Sequence, residues 1–303
     1  MHFFSLSDKI QAMKFKNPGL LLIHLAVFFF GFPGVIGKLL PYSPVQLTWF
    51  RVFLASLGLL LVLSWQKERI LIPSSGHRLL ILLSGLLLAG HWITFFQSVK
   101  VSTVAVGLLS YSTFPVFTVF LEPLLLKTRF RRTNLGLTVA CFFGLTLMVP
   151  RFSFSNQVFV GVLWGIASGL TFSLLTIINR NLVRFHSSLL LAFFQDLITT
   201  IILLPIFLAT SITFSLKAFD LWLLLFLGLV CTAGAHTLFI RGLRFLEAQA
   251  SSLISALEPV YGIIFGLLFL KEIPSLRTIS GGLIILSSVI LVSLINSRPG
   301  TTR

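Results

Sequence analysis

Ten apolar stretches separated by short polar links constrain the fold of this chain more than any other feature. They cover approximately residues 19–39, 46–64, 79–98, 102–126, 134–150, 159–181, 188–209, 221–241, 248–270 and 276–295. A helix of roughly 20 apolar residues crosses the hydrocarbon core of a bilayer and satisfies its own backbone hydrogen bonds there. The sequence therefore predicts an all-α integral membrane protein with ten transmembrane helices.

Composition supports this class and excludes several others. The chain is 56% hydrophobic and only 10% charged, whereas soluble domains carry about 25% charged residues. The formal net charge of +15 is typical of basic cytoplasmic loops, so we expect no nucleic-acid partner. Cys141 and Cys231 both lie inside apolar stretches and indicate neither a disulfide nor a metal site. The sequence has no P-loop motif, and we expect no cofactor.

The distribution of basic residues predicts the orientation. If the N-terminus is cytoplasmic, the inside segments contain sixteen Lys and Arg residues, the outside segments contain six, and Arg51 lies within a span. Such a bias is typical of cytoplasmic loops. We therefore expect a plasma-membrane protein with both termini in the cytoplasm.

The chain also carries an internal duplication. Residues 90–127 and 234–271 align without a gap at a constant offset of 144, which pairs Gly90 with Gly234, Phe95 with Phe239, Lys100 with Arg244, Pro115 with Pro259 and Lys127 with Lys271. At the same offset Arg51 is paired with Gln195. Duplicated units in an apolar chain are typical of transporters.

Five spans per copy is an odd number, so the two copies must cross the membrane in opposite orientations. This predicts two inverted five-helix repeats, with a substrate site near the bilayer midplane where the halves meet. We expect a cytoplasmic N-terminal tail (1–18), a first repeat (19–150), a second repeat (151–295) and a cytoplasmic C-terminal tail (296–303).

Local patterns then point to a known family. Arg51 stands early in the second span (LTWFRVFLA), and LEPVYGIIFGLLFLKE in the ninth span is followed by a polar link and SGGLIILSSVILV. In these patterns and in its five-plus-five repeat, the chain resembles the EamA-type members of the drug/metabolite transporter superfamily. The first copy departs from the pattern, because Thr128 stands where the second copy has Glu272. The resemblance implies a secondary transporter of the bacterial inner membrane that exports amino acids or related metabolites.

Ionisable residues inside spans are the first candidates for the substrate site, because each costs roughly 2.5–3.5 kcal/mol on insertion scales. Glu258 precedes Pro259 near the middle of span nine and could carry a coupling proton; the alternative is a structural carboxylate. Arg51 could clamp a substrate carboxylate, form a structural ion pair or extend to the interface. Arg51 would form a gate pair with Glu258 or Asp196 if they meet. Of the adjacent residues Gln195 and Asp196, helical geometry lets only one face a cavity.

Imidazoles and aromatic rings are further candidates for substrate or proton binding. His91 and His236 lie in corresponding spans and could relay protons, or could only bond two helices together. Tyr111 and Tyr261 flank the mid-span prolines and could stack on a planar ligand, as could Trp164. The alternative for these rings is packing or interfacial anchoring.

Three prolines are candidate helix breaks or hinges. Pro115 and Pro259 lie within spans four and nine, and Pro33 lies within the cluster Gly31, Gly34 and Gly37 of span one. A proline in a helix removes one backbone hydrogen bond and leaves a carbonyl free to line a cavity.

Three functions remain open on this evidence. We favour alternating-access transport of a small organic solute, driven by a proton gradient or by the gradient of the solute. The direction is expected to be export, with uptake or exchange as the alternative. A membrane-embedded enzyme acting on a lipid-linked substrate would place its catalytic groups at one membrane face, whereas the sequence puts His91 in the outer half and His236 in the inner half. A passive channel is the third possibility.

Overall fold

The computed structural model describes residues 18–68, 70, 75–126, 133–210, 217–246, 251, 254–255 and 257–296. Most of the predicted tails and the basic segment 127–132 lie outside these ranges. Every regular element within the ranges is helical. This agrees with the fold class that the apolar stretches predict.

The helices follow the predicted spans closely. In chain order they are α1 (Pro18–Phe30), α2 (Phe32–Leu39), α3 (Pro44–Trp65), α4 (Ser75–Val101), α5 (Val104–Tyr111), α6 (Phe114–Leu126), α7 (Thr133–Met148), α8 (Gln157–Leu182), α9 (Ser188–Ala209), α10 (Ala218–Leu225), a π-helix (Phe226–Gly234), α11 (Ala235–Gly242), α12 (Glu258–Phe265), a second π-helix (Gly266–Leu270) and α13 (Leu276–Asn296). Together they form ten membrane segments.

Seven of the described helical stretches are long and apolar enough to cross a bilayer. They are Pro18–Leu39, Pro44–Trp65, Gly76–Val101, Val104–Leu125, Gln157–Leu182, Ser188–Ala209 and Ala218–Gly242. Three shorter apolar helices, Thr138–Met148, Glu258–Leu270 and Leu276–Leu291, supply spans five, nine and ten.

Several spans are interrupted rather than straight. Span one breaks at Gly31, directly before Phe32 and Pro33. Span four breaks at residues 112–113, so Pro115 is the second residue of α6. Pro259 is likewise the second residue of α12, where its missing N–H removes no helical hydrogen bond. The three prolines thus mark helix starts in the middle of the membrane, where backbone groups become available.

The helix packing is symmetric between the two copies, because a pair of spans in contact becomes another pair in contact when the copies are exchanged. Span two packs on span seven (α3 on α9), and span five packs on span ten (α7 on α13). Span three packs on span six (α4 on α8), and the equivalent pair, span eight on span one (α11 on α1), is also in contact. The N-caps agree, because Ser43 and Ser187 are 144 residues apart and each hydroxyl accepts a backbone N–H, from Gln46 and Leu190 respectively.

Charged side chains tie the helices together at one end of the bundle, which we call the lysine end. Lys38 Nζ donates to the Ser102 carbonyl and Lys100 Nζ donates to the Leu40 carbonyl, both at 2.6 Å, so spans one and three hold each other's C-terminal carbonyls. Glu272 Oε2 accepts the N–H of Val104 at 2.9 Å. This bond joins the end of span nine to the first residue of α5.

Hydrogen bonds between side chains join the helices at the opposite end, which we call the histidine end. His77 Nδ1 and His186 Nε2 are 2.9 Å apart and share one hydrogen bond. Ser187 Oγ donates to Glu68 Oε1 at 2.5 Å. Both contacts connect the start of α9 to the residues around the link between spans two and three.

We expect Gly144→Ala to destabilise the protein, because the added Cβ would lie 2.7 Å from the Gly281 carbonyl oxygen where α7 crosses α13. Overpacking of this kind costs about 1–3 kcal/mol. The matched control is Gly136→Ala on the same helix, where nothing lies within 4 Å of the new Cβ. Thermal unfolding of both variants in detergent measures the difference, and equal melting temperatures would contradict the packing of α7 on α13.

The histidine end predicts a pH dependence of stability. Burial, and then the charge of neighbouring His77, lower the pKa of His186 below its ordinary value. The folded state therefore binds fewer protons than the unfolded state near and below the unfolded pKa of about 6.5. The stabilising contribution is complete above that pH and is lost as the pH falls below it.

We expect the melting temperature of the wild type to fall more than that of His186→Gln between pH 8 and pH 5.5. His24→Gln, which changes an exposed histidine of α1, is the control and should behave as wild type. A His186→Gln variant with the full wild-type pH dependence would show that another group is responsible.

Candidate functional site

A buried arginine lies at the centre of the bundle. Arg51 of α3 is 0% exposed. Its guanidinium carbon lies 3.3 Å from the ring centre of Trp92 and 5.6 Å from that of Phe96. Its Nε donates to the Thr232 hydroxyl at 3.0 Å. The indole face and this hydroxyl fix the guanidinium in one plane, because cation–π contact and a directed hydrogen bond both depend on orientation.

The outer nitrogens of the same guanidinium differ from Nε in their hydrogen bonding. Nη1 and Nη2 of Arg51 have no hydrogen-bond partner among the described residues. Asp196 and Glu258 lie within electrostatic range of Arg51, but neither carboxylate bonds directly to it. The gate pair suggested by the sequence is therefore a group of charges that face one another without touching.

The two carboxylates come from different elements and have different surroundings. Asp196, in α9, is fully buried, and both of its oxygens have no hydrogen-bond partner in the described part of the chain. Glu258 begins α12, with the Tyr111 side chain as its hydrogen-bond partner. Because Tyr111 ends α5 and Glu258 begins α12, this contact joins the two helix breaks of spans four and nine.

Gln195 points away from Asp196, as expected for adjacent helical positions. Its Nε2 donates to Asn179 Oδ1 at 2.5 Å, which joins α9 to α8. Its Oε1 is buried and has no hydrogen-bond partner within the described ranges. Gln195 thus lies beside the cluster and supports the helix that carries Asp196.

The structure brings His91 and His236 together. His91 Nδ1 lies 2.8 Å from the Ser168 hydroxyl and 3.2 Å from the Ser168 carbonyl oxygen. Both imidazoles lie within electrostatic range of Arg51, and His91 lies within range of His236. Both ring nitrogens of His236 are buried and have no hydrogen-bond partner among the residues described. His91 and His236 therefore belong to the same cluster around Arg51, although the sequence predicts them in opposite halves of the membrane.

Aromatic rings form one wall of the cluster. The His91 ring lies 4.4 Å from Trp92, 4.8 Å from Phe172 and 5.3 Å from Tyr111, measured between ring centres. Tyr111 stacks on Phe114, and Phe172 continues the wall to Phe239 at 5.6 Å. Edge and face contacts of this kind suit a planar or apolar ligand group.

Two residues suggested by the sequence do not join this cluster. Trp164 is 39% exposed on α8, a value that places it among the side chains facing the bilayer. Tyr261 packs edge-on against Phe28, with ring centres 5.4 Å apart, beside Gly31 of the break in span one. Pro33 lies next to that break. Pro115 lies four residues after Tyr111, and Pro259 directly follows Glu258.

Two important contacts of the cluster were not predicted. Thr232 lies in the first π-helix, where its hydroxyl donates to the Leu227 carbonyl, five residues earlier, at 2.7 Å and accepts from Arg51. Ser168 lies in α8 and holds His91. Hydroxyl residues are frequent in apolar spans, so neither had a distinguishing signal in the sequence. π-Helical segments often occur at functional sites, which agrees with the position of Thr232.

Among the described residues, no group of three or more His, Cys, Asp and Glu side chains could hold a metal ion. The arrangement instead offers hydrogen-bond donors on Arg51 and acceptors on Asp196 and Glu258, next to an aromatic wall.

The fold and this cluster define a membrane protein of two related five-helix halves with a polar centre where the halves meet. The family model of the EamA-like transporter family matches residues 17–149 and again residues 159–294. The chain belongs to the EamA-like transporter family, and it is a membrane transporter.

Proteins with similar sequences include other transporters. The chain is 26% identical over 279 residues to the uncharacterized transporter YwfM of Bacillus subtilis, covering 90% of this chain and 93% of the relative. It is 26% identical over 250 residues to an S-adenosylmethionine uptake transporter of Rickettsia prowazekii, covering 82% of each chain. A solved crystal structure of a protein matches with a TM-score of 0.70 at 15% identity, covering 95% of this chain and 100% of that chain, and this shows the fold alone.

We expect Thr232→Val to destabilise the protein and to disturb Arg51, because it removes the acceptor of a buried charge-assisted hydrogen bond. The cost of such a loss is about 1–3 kcal/mol. Thr232→Ser retains the hydroxyl and should stay close to wild type. The matched control is Thr237→Val, five residues along the same span, since the Thr237 hydroxyl has no hydrogen-bond partner within the described ranges. Equal unfolding free energies for the two valine variants would contradict the assigned role of Thr232.

Proposed function

We propose that this protein is a secondary active transporter for a small organic metabolite that carries both a carboxylate and a cationic group, such as an amino acid or a related compound. It moves this solute across the bacterial inner membrane by alternating access, with both termini in the cytoplasm. Its role is carriage rather than catalysis. Export is the proposed direction, with uptake or exchange as the alternative.

The observation that carries the proposal is a set of buried side-chain atoms at the centre of the bundle that have no hydrogen-bond partner in the described part of the chain. Arg51 offers two free N–H-bearing nitrogens, Asp196 offers two carboxylate oxygens and Glu258 offers Oε2. Leaving such groups unpaired in a low-dielectric interior costs several kcal/mol. A bound zwitterion would satisfy both signs at once, with its carboxylate on Arg51 and its cationic group on Asp196 or Glu258.

The remaining part of the solute is proposed to lie against the aromatic wall. Tyr111, Phe114, Phe172 and Phe239 present contiguous ring surfaces next to His91. The relative named as an S-adenosylmethionine uptake transporter supports this general shape, because S-adenosylmethionine combines an amino-acid group, a positive sulfonium and a planar adenine. The same name is the reason for keeping uptake as the alternative direction.

Proton coupling is the second part of the proposal. Asp196 and Glu258 are the buried carboxyl groups that face Arg51, so either can exchange a proton for the cationic group of the solute. Competition between proton and solute for one carboxylate couples their movements without a direct contact between them. His91 and His236, which border the same cluster, are the proposed proton route.

The alternating-access cycle needs breaks in the spans that hold these groups. Pro115, Pro259 and Pro33 are the proposed hinges, since each stands directly after an interruption of its span. The orientation of the termini rests on the distribution of basic residues, sixteen against six. Neither the hinge assignment nor the orientation depends on the identity of the solute.

We expect a panel of amino acids, nucleobases, amines and S-adenosylmethionine to identify a ligand by its increase of the melting temperature, because a ligand that binds only the folded protein stabilises it. Asp196→Asn and Arg51→Lys should each weaken the apparent affinity about ten-fold or more, which corresponds to about 1.4 kcal/mol. Asp220→Asn, a buried aspartate of α10 at the lysine end, is the matched control and should bind as wild type.

Flux in proteoliposomes then tests the coupling. An imposed pH gradient should drive accumulation of the ligand by the wild type, and Glu258→Gln or Asp196→Asn should lose this drive while retaining solute exchange. If both variants respond to the gradient like wild type, the carboxylates are structural. If a panel of zwitterions binds no better than neutral solutes, the proposed substrate class is wrong.

A further inference from the structure

A groove away from the central cluster runs between spans four, nine and ten. Two adjoining cavities of about 230 Å³ and 240 Å³ share the lining residues Ile263, Pro274 and Thr278. They therefore form one continuous groove, which we call the α12–α13 groove. Its sides are α12 with the following π-helix, α13 and α5.

The two ends of this groove differ in chemistry. At the lysine end the lining is mostly apolar but includes the polar residues Thr103, Glu272 and Ser275. Further along α13 the lining is almost entirely apolar, with Leu109, Ile264, Leu283 and Leu286. A groove with polar groups at its mouth and an apolar interior is complementary to an amphipathic molecule rather than to a polar solute.

The apolar part opens towards the bilayer. Ile264 is 47% exposed, Ile279 44% and Leu283 63%. From Thr278 to Leu286 the helix rises about 12 Å at 1.5 Å per residue. One leaflet of the hydrocarbon core is about 15 Å deep, so the groove has the length of an acyl chain that descends from the interface towards the midplane.

The charged residues near the mouth of the groove bear on which headgroup an amphipathic ligand would carry. Lys271 and Arg277 flank the mouth in the chain, and both side chains are exposed. Glu272 is the acidic group at the mouth, and its Oε2 is already engaged by the Val104 N–H. Two exposed cations beside one engaged carboxylate favour an anionic headgroup, since Lys and Arg at membrane interfaces bind lipid phosphates.

We propose that the α12–α13 groove binds one phospholipid with an anionic headgroup, its phosphate near Lys271 and Arg277 and one acyl chain along Ile264 and Leu283. The bound lipid fills the space between α5, α12 and α13 and supports the Glu272–Val104 contact at the mouth. This site is separate from the central cluster, so it does not depend on the transported solute.

The test compares lipids by thermal unfolding of the purified full-length protein, with native mass spectrometry to count bound lipids. Phosphatidylglycerol should bind with about a ten-fold lower apparent dissociation constant than phosphatidylcholine. The double variant Lys271→Gln and Arg277→Gln should lose this preference. The matched control is Arg151→Gln and Lys217→Gln, which removes two other cations from segments outside the groove.

A second pair of variants tests the groove itself. Leu283→Trp fills the apolar part and should abolish retention of the tightly bound lipid, whereas Leu291→Trp, two helical turns further along α13 and outside the groove lining, should retain it. Equal binding of the two lipids, or an unchanged preference in the double glutamine variant, would overturn the proposal. So would a dimer that Leu283→Trp dissociates, because the groove would then be an interface between copies.

Discussion

The fully buried guanidinium of Arg51 is the constraint on which the centre of this protein depends. A charge inside the membrane requires compensation, and the compensation comes from spans that are distant in sequence: Trp92 in span three, Thr232 in span eight, Asp196 in span seven and Glu258 in span nine. Because Arg51 belongs to the first half and most of its partners to the second, the polar centre exists only when both halves are assembled. The compensation is also incomplete, since the outer nitrogens and the Asp196 oxygens have no hydrogen-bond partner among the described residues. We propose that a ligand which binds and leaves completes the pairing of this centre.

The backbone is therefore nearly symmetric between the two halves, whereas side chains at equivalent positions differ. Helix pairs in contact have an equivalent pair when the two halves are exchanged. Positions that are equivalent at the offset of 144 nevertheless hold different residues: Arg51 and Gln195, Trp92 and His236, and Phe114 and Glu258. We propose that the symmetric part gives the helices two related ways of packing, which alternating access requires. The divergent part places Arg51, Asp196 and Glu258 at positions whose equivalents in the other half are Gln195, Val52 and Phe114. An identical pair of halves would place like groups opposite each other and could not bind a zwitterion in one orientation.

The spans and the duplication could be predicted from the sequence, because the length of an apolar stretch and the positions of its prolines follow directly from the membrane environment. The sequence also identified Arg51, Asp196 and Glu258, since any ionisable residue within a span is conspicuous. It could not place these residues relative to one another. The proximity of His91 to His236 depends on the tilts and breaks of several spans, and the role of Thr232 depends on a π-helix that has no signature in composition. Trp164 shows the converse case, because an aromatic side chain in a span is compatible with the centre and with the lipid face, and only packing decides between them.

The described side-chain contacts differ between the two ends of the bundle. At the lysine end, Lys38 and Lys100 hold backbone carbonyls of the neighbouring span, and Glu272 holds the first N–H of α5. At the offset of 144, Lys38 and Lys100 correspond to Leu182 and Arg244, and Glu272 corresponds to Thr128, which lies outside the described residues. The Leu182 side chain cannot donate a hydrogen bond, so the Lys38 contact has no side-chain equivalent in the second copy. The described side-chain contacts at the histidine end are instead those of His77 with His186 and of Ser187 with Glu68. The divergence of the two copies therefore affects the ends of the helices as well as the centre, because the position equivalent to Lys38 holds an apolar side chain in the second copy.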